Sequence, residues 1–253
     1  MPVCFRRIIQ VAEDLGRGGF KLIQPENCFK LDTAGVLLAW FAASFTRKGR
    51  PCSMLELGSS AGGCAMLAAA RVPDAKIDCV EVMKEPYEAL LGNIELNSVN
   101  GRVRAFNCDV RELPRELKDS LYDVVFMNPP FYKTENSVVT DRENELAARF
   151  NEKGNLEDFI ACASARTRMS SGYTVMCMAP ARLPECMELF AKYKLAPSRL
   201  ISVHASSGKD AFLFLLAGKK GSPNTEFKVL PPLYTDSERI DKIYTEEHTD
   251  CFI

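Results

Sequence analysis

The chain has 253 residues, 47% hydrophobic and 26% charged, so it can bury the core of one α/β domain. Its formal net charge of -1 and its pI of about 6.2 argue against a strongly basic nucleic-acid-binding domain, while leaving room for a local basic patch. The sequence contains no apolar run long enough to cross a bilayer and no secretory signal pattern, so we expect a cytoplasmic protein.

Ten cysteines and two histidines show neither a CxxC pair nor the spacing of metal ligands. Cysteines in such number could bind zinc or form disulfides. Most of the cysteines instead lie in apolar segments, as Cys64, Cys79, Cys162 and Cys177 do. We therefore expect buried, reduced thiols and no metal site.

The amino-terminal part contains two predicted short strands, at 20–23 and 28–31, which could form a hairpin. A predicted helix over residues 34–44 follows them. We predict that residues 1–50 form an extension that packs on or near a main domain of residues 51–253.

Strands and helices alternate through the main domain. Strands are predicted at 54–57, 76–82, 103–107, 122–127, 173–178, 199–205 and 211–217. Helices are predicted at 62–71, 86–99, 113–117, 156–169, 183–192 and 237–244. This alternation predicts an α/β fold in which a mostly parallel sheet has helices on both faces.

The last two predicted strands lie too close in sequence for a crossover helix, so they should pair antiparallel. A parallel sheet that ends in an antiparallel hairpin is typical of the Rossmann-like class I methyltransferase fold. We therefore predict a mostly parallel seven-stranded sheet with a carboxyl-terminal antiparallel hairpin.

The sequence from Leu55 to Gly63 follows the first strand of this sheet and opens a helix. Its small residues allow a ligand to approach the backbone closely, and the helix start offers free N–H groups. We assign Glu56, Gly58, Ser60 and Gly62 to cofactor binding.

Two acids end the next two predicted strands. Glu81 is placed to accept hydrogen bonds from both hydroxyls of a ribose, and Asp109 to reach an adenine amino group. The glycine pattern of NAD-binding loops is absent, because Ser60 stands between Gly58 and Gly62. S-adenosylmethionine has no pyrophosphate and tolerates this loop, so we predict that cofactor, with S-adenosylhomocysteine as product.

Asn128-Pro129-Pro130-Phe131 at the end of the fourth strand is the most specific motif in the chain. The Asn128 side-chain oxygen and the Pro129 carbonyl can accept hydrogen bonds from a weakly nucleophilic NH2 group and orient its lone pair. Phe131 can stack on a planar base. We therefore predict that Asn128, Pro129 and Phe131 are catalytic, and that Asn128 also contacts the cofactor.

With these motifs the chain resembles the class I amino-group methyltransferases, and most closely the bacterial tRNA(Val) adenine-N6 methyltransferase family. The resemblance extends from about residue 29 to residue 244. Its more specific pieces are Leu37-Leu38-Ala39, Phe131-Tyr132-Lys133, Ala147-Ala148-Arg149, Pro180-Ala181-Arg182-Leu183 and Tyr234-Thr235.

The resemblance implies methylation of the exocyclic N6 amino group of an adenine in tRNA, just 3′ of the anticodon. It also implies that Gly58 and Glu81 contact the cofactor, Asp109 its adenine, and Asn128 and Phe131 the target base. The chain departs from the family pattern at Ala34, Ser60 and Phe150.

RNA contacts are expected from loops around the cleft. The polar segment 133–155 is predicted to be a flap with a helix near 143–150, and its Lys133, Arg142 and Arg149 are candidate RNA-binding residues. Further candidates are Lys209, Lys219 and Lys220. We expect a monomer that binds RNA without a membrane or a metal.

Three alternatives remain open at this point. An rRNA adenine or guanine amino-methyltransferase would carry an indistinguishable NPPF motif. A protein glutamine N5-methyltransferase uses a similar motif, usually with a larger amino-terminal domain than the roughly fifty residues that precede this loop. A catalytically inactive binding module is disfavoured by the intact Asn128 and Glu81.

Overall fold

The computed structural model describes residues 12–26, 28–129, 154–222 and 225–245. The predicted flap helix at 143–150 lies outside these ranges. So do Phe131, Lys133, Arg142 and Arg149, whose assigned roles stay predictions.

The amino-terminal segment forms a short hairpin, but its two strands are not the pair predicted at 20–23 and 28–31. Strand β1 (Glu13–Asp14) pairs antiparallel with β2 (Lys21–Leu22). The strand predicted at 28–31 was wrong, because side chains satisfy the backbone there. The Gln24 side-chain oxygen accepts a hydrogen bond from the N–H of Leu31 at 2.6 Å, and the Phe29 carbonyl accepts from the Ser60 hydroxyl at 3.0 Å.

Seven strands form the predicted sheet in the order β8-β9-β7-β6-β3-β4-β5. They are β3 (Cys52–Leu57), β4 (Ala75–Val80), β5 (Val103–Phe106), β6 (Val124–Met127), β7 (Tyr173–Met178), β8 (Leu195–His204) and β9 (Ala211–Lys220). The pairings from β5 to β7 are parallel, whereas β9 runs antiparallel to both β7 and β8. The predicted fold class and its terminal hairpin are therefore confirmed.

The carboxyl-terminal tail adds to the outer edge of this sheet. Two short strands, β10 (Lys228–Val229) and β11 (Leu233–Tyr234), pair parallel with β8, so the sheet has nine strands within the described residues. Strand β8 begins at Leu195 instead of residue 199, because a shift in register between Pro197 and Arg199 accommodates the proline.

Helices cover both faces of the sheet. They are α1 (Thr33–Ala43), α2 (Gly63–Arg71), α3 (Lys84–Leu96), α4 (Arg115–Lys118), α5 (Leu156–Arg166), α6 (Leu183–Lys192) and α7 (Glu238–Thr245). Buried residues of α1, α2, α3 and α7 form one apolar cluster, and those of α4, α5 and α6 form a second. This layering encloses the sheet between two cores.

Side-chain caps fix where two of these helices begin. The Asp32 carboxylate accepts from the N–H of Gly35 at 3.0 Å and starts α1. Asn155 and Asp158 form a reciprocal capping box at the start of α5. Each cap satisfies N–H groups that have no partner within the helix.

Eight of the cysteines lie in the described part of the chain, and all eight are free thiols. None of the helices in the described ranges is long and apolar enough to cross a membrane.

Gly218 on β9 packs against the buried ring of Phe190, and a Cβ atom at Gly218 would meet that ring at 2.7 Å. We expect Gly218→Ala to lower the free energy of unfolding by about 1–3 kcal/mol, because the ring is enclosed by core. Urea denaturation measures the effect.

Gly92→Ala is the control, since a Cβ there meets nothing within 4 Å on an exposed face of α3. It should raise stability by up to about 1 kcal/mol. An equal decrease in the free energy of unfolding of both variants would contradict the packing argument.

Candidate functional site

The parallel register brings three motif residues to one edge of the sheet. Leu57, the last residue of β3, pairs with Val80 on one side and with Met127 on the other. Gly58, Glu81 and Asn128 therefore follow at the same level, at the carboxyl ends of adjacent strands. This edge is where parallel α/β sheets bind ligands.

The loop after β3 is held in a left-handed turn. The N–H groups of Gly58 and Ser59 both donate to the Val80 carbonyl, at 2.9 and 3.0 Å. Gly58 and Gly62 have φ of 73° and 85°, values that favour glycine.

Ser60, which stands between these two glycines, also adopts a positive φ, of 49°. Two hydrogen bonds offset the strain of that conformation. Its N–H donates to the Glu81 carboxylate at 2.8 Å, and its hydroxyl donates to the Phe29 carbonyl at 3.0 Å. A serine at this position is therefore compatible with the turn.

The Glu81 carboxylate is 1% exposed and organises the loop. One oxygen accepts from Ser60, and the other accepts from the N–H of Met83 at 2.7 Å. Burial raises the pKa of Glu81, and these backbone hydrogen bonds partly offset the rise.

A cleft, here called the main cleft, opens beside this loop. The segment before α1 contributes Gln24, Phe29, Lys30, Leu31 and Asp32 to its lining. The strand ends contribute Glu56, Gly58, Glu81 and Asn128, and apolar side chains come from Val82, Cys108, Val110 and Phe159. The cleft therefore combines buried carboxylates with apolar surface.

Glu56 is buried in this cleft, and its Oε2 atom has no hydrogen-bond partner. Burial raises the pKa of Glu56 to about 8, although contacts with Cys64 and Ser59 lower it in part. An unpartnered buried carboxylate oxygen suits a cationic ligand group.

Sequence reasoning missed Asn93, which joins the amino-terminal segment to the cofactor loop. From inside α3 its amide nitrogen donates to the carbonyls of Ile23 and Ala61, both at 2.8 Å, and its amide oxygen accepts from the N–H of Ile23 at 2.8 Å. Asn93 is 0% exposed. A polar residue at an apolar position of a helix was the only signal available.

A second cavity, here called the side cavity, adjoins the main cleft. Asp32, Asn128 and Pro129 line both of them. The side cavity is completed by Thr33, Ala34, Met178, Ala179, Phe212 and Leu213. Phe212, another residue that sequence reasoning missed, is 46% exposed although it belongs to an apolar strand.

Asp109 lies beside the main cleft, where its carboxylate is engaged by Arg111. The guanidinium of Arg111 donates to both oxygens of Asp109, at 2.6 and 2.9 Å, and its backbone N–H donates at 2.9 Å. Cys108 and Val110 line the cleft at this point. The predicted contact of Asp109 with an adenine stays a prediction.

The lysines proposed for RNA contacts separate into two groups. Lys209 lies in the exposed β8–β9 loop, at the same edge of the sheet as Asn128. Lys219 and Lys220 lie at the opposite edge, because β9 is antiparallel and Lys219 pairs with Tyr173 at the start of β7. This geometry argues against RNA contacts by these two residues at the cleft.

Residues 29–157, more than half of the 253, match the model of the family described as "Methyltransferase small domain". A protein of Flavobacterium psychrophilum named tRNA1(Val) (adenine(37)-N6)-methyltransferase is 27% identical over 231 residues, covering 90% of this chain and 93% of that relative. One of the same name from Flavobacterium johnsoniae is 31% identical over 144 residues, or 57% of this chain and 59% of that relative.

A crystal structure of a predicted O-methyltransferase from Agrobacterium tumefaciens superposes with a TM-score of 0.66. Its sequence identity is 22%, and the match covers 84% of this chain and 99% of that one. At this identity the likeness concerns the fold.

The order of the strands and the likeness to this structure define the fold as that of the class I, Rossmann-like methyltransferases. The chain belongs to the methyltransferase small domain family and is an S-adenosylmethionine-dependent methyltransferase.

Glu56 should make the stability of the ligand-free protein depend on pH, because its pKa rises from 4.5 to about 8 on folding. Between these values the folded protein keeps a proton that the unfolded chain has released. The free energy of unfolding therefore falls as pH rises, by at most about 1.4 kcal/mol per pH unit from this group.

Urea denaturation of wild type and Glu56→Gln between about pH 5 and about pH 8 isolates this contribution. The variant should lose less stability than wild type over that window. Parallel pH profiles would show that Glu56 titrates normally.

Proposed function

We propose that the protein transfers the methyl group of S-adenosylmethionine to the N6 amino group of an adenine in tRNA, next to the anticodon. One observation carries the proposal: Asn128 and Pro129 line both the main cleft and the side cavity. A methyl donor in one and an amine in the other would therefore meet at the NPPF motif. The choice of tRNA as substrate, and of the adenine beside the anticodon as the methylated base, follows the names of the relatives.

The main cleft fits S-adenosylmethionine chemically. When bound, this cofactor supplies an electrophilic methyl group on a positively charged sulfonium. Glu56, which keeps its proton near neutral pH in the ligand-free protein, would ionise beside the cationic cofactor and compensate its positive charge. Glu81 would accept from the ribose hydroxyls. Val82, Cys108, Val110 and Phe159 offer an apolar surface for a planar adenine.

The chemistry assigned to the motif is orientation of a poor nucleophile. The Asn128 side-chain oxygen and the Pro129 carbonyl would accept from the two N–H bonds of the target amine, which directs its lone pair at the methyl group. These acceptors also stabilise positive charge as it develops on nitrogen. The proton leaves after methyl transfer, so no general base is required before it.

The side cavity is suited to the adenine ring. Phe212 lines this cavity and is partly exposed, so the ring of the base could stack on it while the amine reaches Asn128. Phe131, Lys133, Arg142 and Arg149 keep their predicted roles in capturing the base and the RNA backbone. Binding of tRNA, release of S-adenosylhomocysteine, a monomeric state and a cytoplasmic location are parts of this proposal.

The proposal predicts that the purified protein transfers label from S-adenosylmethionine to unmodified tRNA, with label recovered as N6-methyladenosine. Asn128→Ala should lower turnover by about a hundredfold or more and leave cofactor affinity within about twofold, because Asn128 orients the amine. Separate incubations with rRNA, DNA and protein test the other acceptors.

Label recovered in rRNA or on protein glutamine would show that tRNA is not the substrate. Absence of label in every pool would contradict an active enzyme. Equal loss of turnover and cofactor affinity in Asn128→Ala would contradict its assigned role.

Phe212→Ala should raise KM for tRNA about tenfold, because base stacking on an aromatic ring contributes about 1–3 kcal/mol. Steady-state kinetics at saturating cofactor measure it. Phe227→Ala is the matched control, since Phe227 is 42% exposed and does not line the side cavity. If both variants change KM equally, stacking at Phe212 is excluded.

A further inference from the structure

Cys177 lies directly beside Asn128 in the sheet. Strands β6 and β7 pair with Met127 opposite Met176, so Asn128, directly after β6, lies level with Cys177 in β7. Side chains alternate along a strand, which directs these two to the same face, that of α1. The register thus explains their contact without any loop between them.

The contact is a hydrogen bond from a buried thiol to the motif asparagine. The Cys177 Sγ atom donates to Oδ1 of Asn128 at 3.1 Å, and Cys177 is 0% exposed. Burial raises the pKa of the thiol well above its ordinary value, and Asp32 raises it further, so the proton stays on sulfur.

We propose that Cys177 is a positioning residue for methyl transfer, whose S–H bond fixes the rotation of the Asn128 side-chain amide. The inference rests on the proposed role of Asn128. A carbonyl oxygen has two lone pairs, so Oδ1 can accept from Cys177 and still accept from the target amine.

The rotation matters because the two ends of an amide are opposite in character. A half-turn would present the NH2 group of Asn128 to the incoming amine, donor against donor, and the acceptor would be lost. The thiol donor favours the productive orientation before substrate arrives. The cost of reordering the side chain during binding is thereby reduced.

Kinetics of two variants test the positioning role. Cys177→Ala should lower kcat about threefold to tenfold, the value of one hydrogen bond, with KM for the cofactor unchanged. Cys177→Ser keeps a donor and should recover most of kcat. Cys186→Ala is the control, since that thiol is equally buried, on α6 in the other core.

The kinetics of Cys177→Ser and Cys177→Ala distinguish a hydrogen-bonding role from a packing role. A serine variant as slow as alanine, or an alanine variant as fast as wild type, would overturn the proposal. A loss in Cys186→Ala equal to that in Cys177→Ala would attribute the effect to packing and also overturn it.

Infrared spectroscopy tests the hydrogen bond without any substrate. Subtracting the spectrum of Cys177→Ser from that of wild type isolates the S–H stretch of Cys177, and the same subtraction in an Asn128→Ala background gives the band without its acceptor. The band should lie at lower frequency in wild type. Equal frequencies would refute the bond, whereas failure to methylate RNA concerns only the proposed function.

Discussion

The site depends on the register of three parallel strands. Because Leu57 pairs with both Val80 and Met127, the first residues beyond β3, β4 and β6 share one level. A slip of one residue in any pairing would reverse which side chains face each core. The buried apolar residues on both faces therefore fix the register, and the register in turn brings Gly58, Glu81 and Asn128 together.

The loop built on that register is stabilised by residues distant in sequence. Ser60 holds its left-handed conformation through Glu81 and Phe29, while Asn93 attaches Ala61 to Ile23. Glu81 consequently has a structural task as well as its proposed contact with the ribose. The segment between β2 and α1 lines the cleft, and its backbone is held by the side chains of Asn93, Gln24 and Ser60.

In the proposed function, the main cleft and the side cavity each hold one of the two reactants. The buried carboxylates of Glu56 and Glu81 line only the first, the apolar side chains of Met178 and Phe212 line only the second, and Asp32, Asn128 and Pro129 line both. An electropositive donor and a planar acceptor suit these different surroundings. The thiol of Cys177 donates a hydrogen bond to the side-chain oxygen of the shared Asn128.

The sequence by itself determined the class of fold, because strand–helix alternation and a final hairpin are local patterns. It also located the loop at Gly58 and the motif at Asn128, since each directly follows a strand. It failed at residues 28–31, and it did not identify Asn93, Phe212 or Cys177. Only the tertiary structure brought those residues to the site, because hydrogen bonds, strand register and cavity linings join residues far apart in the chain.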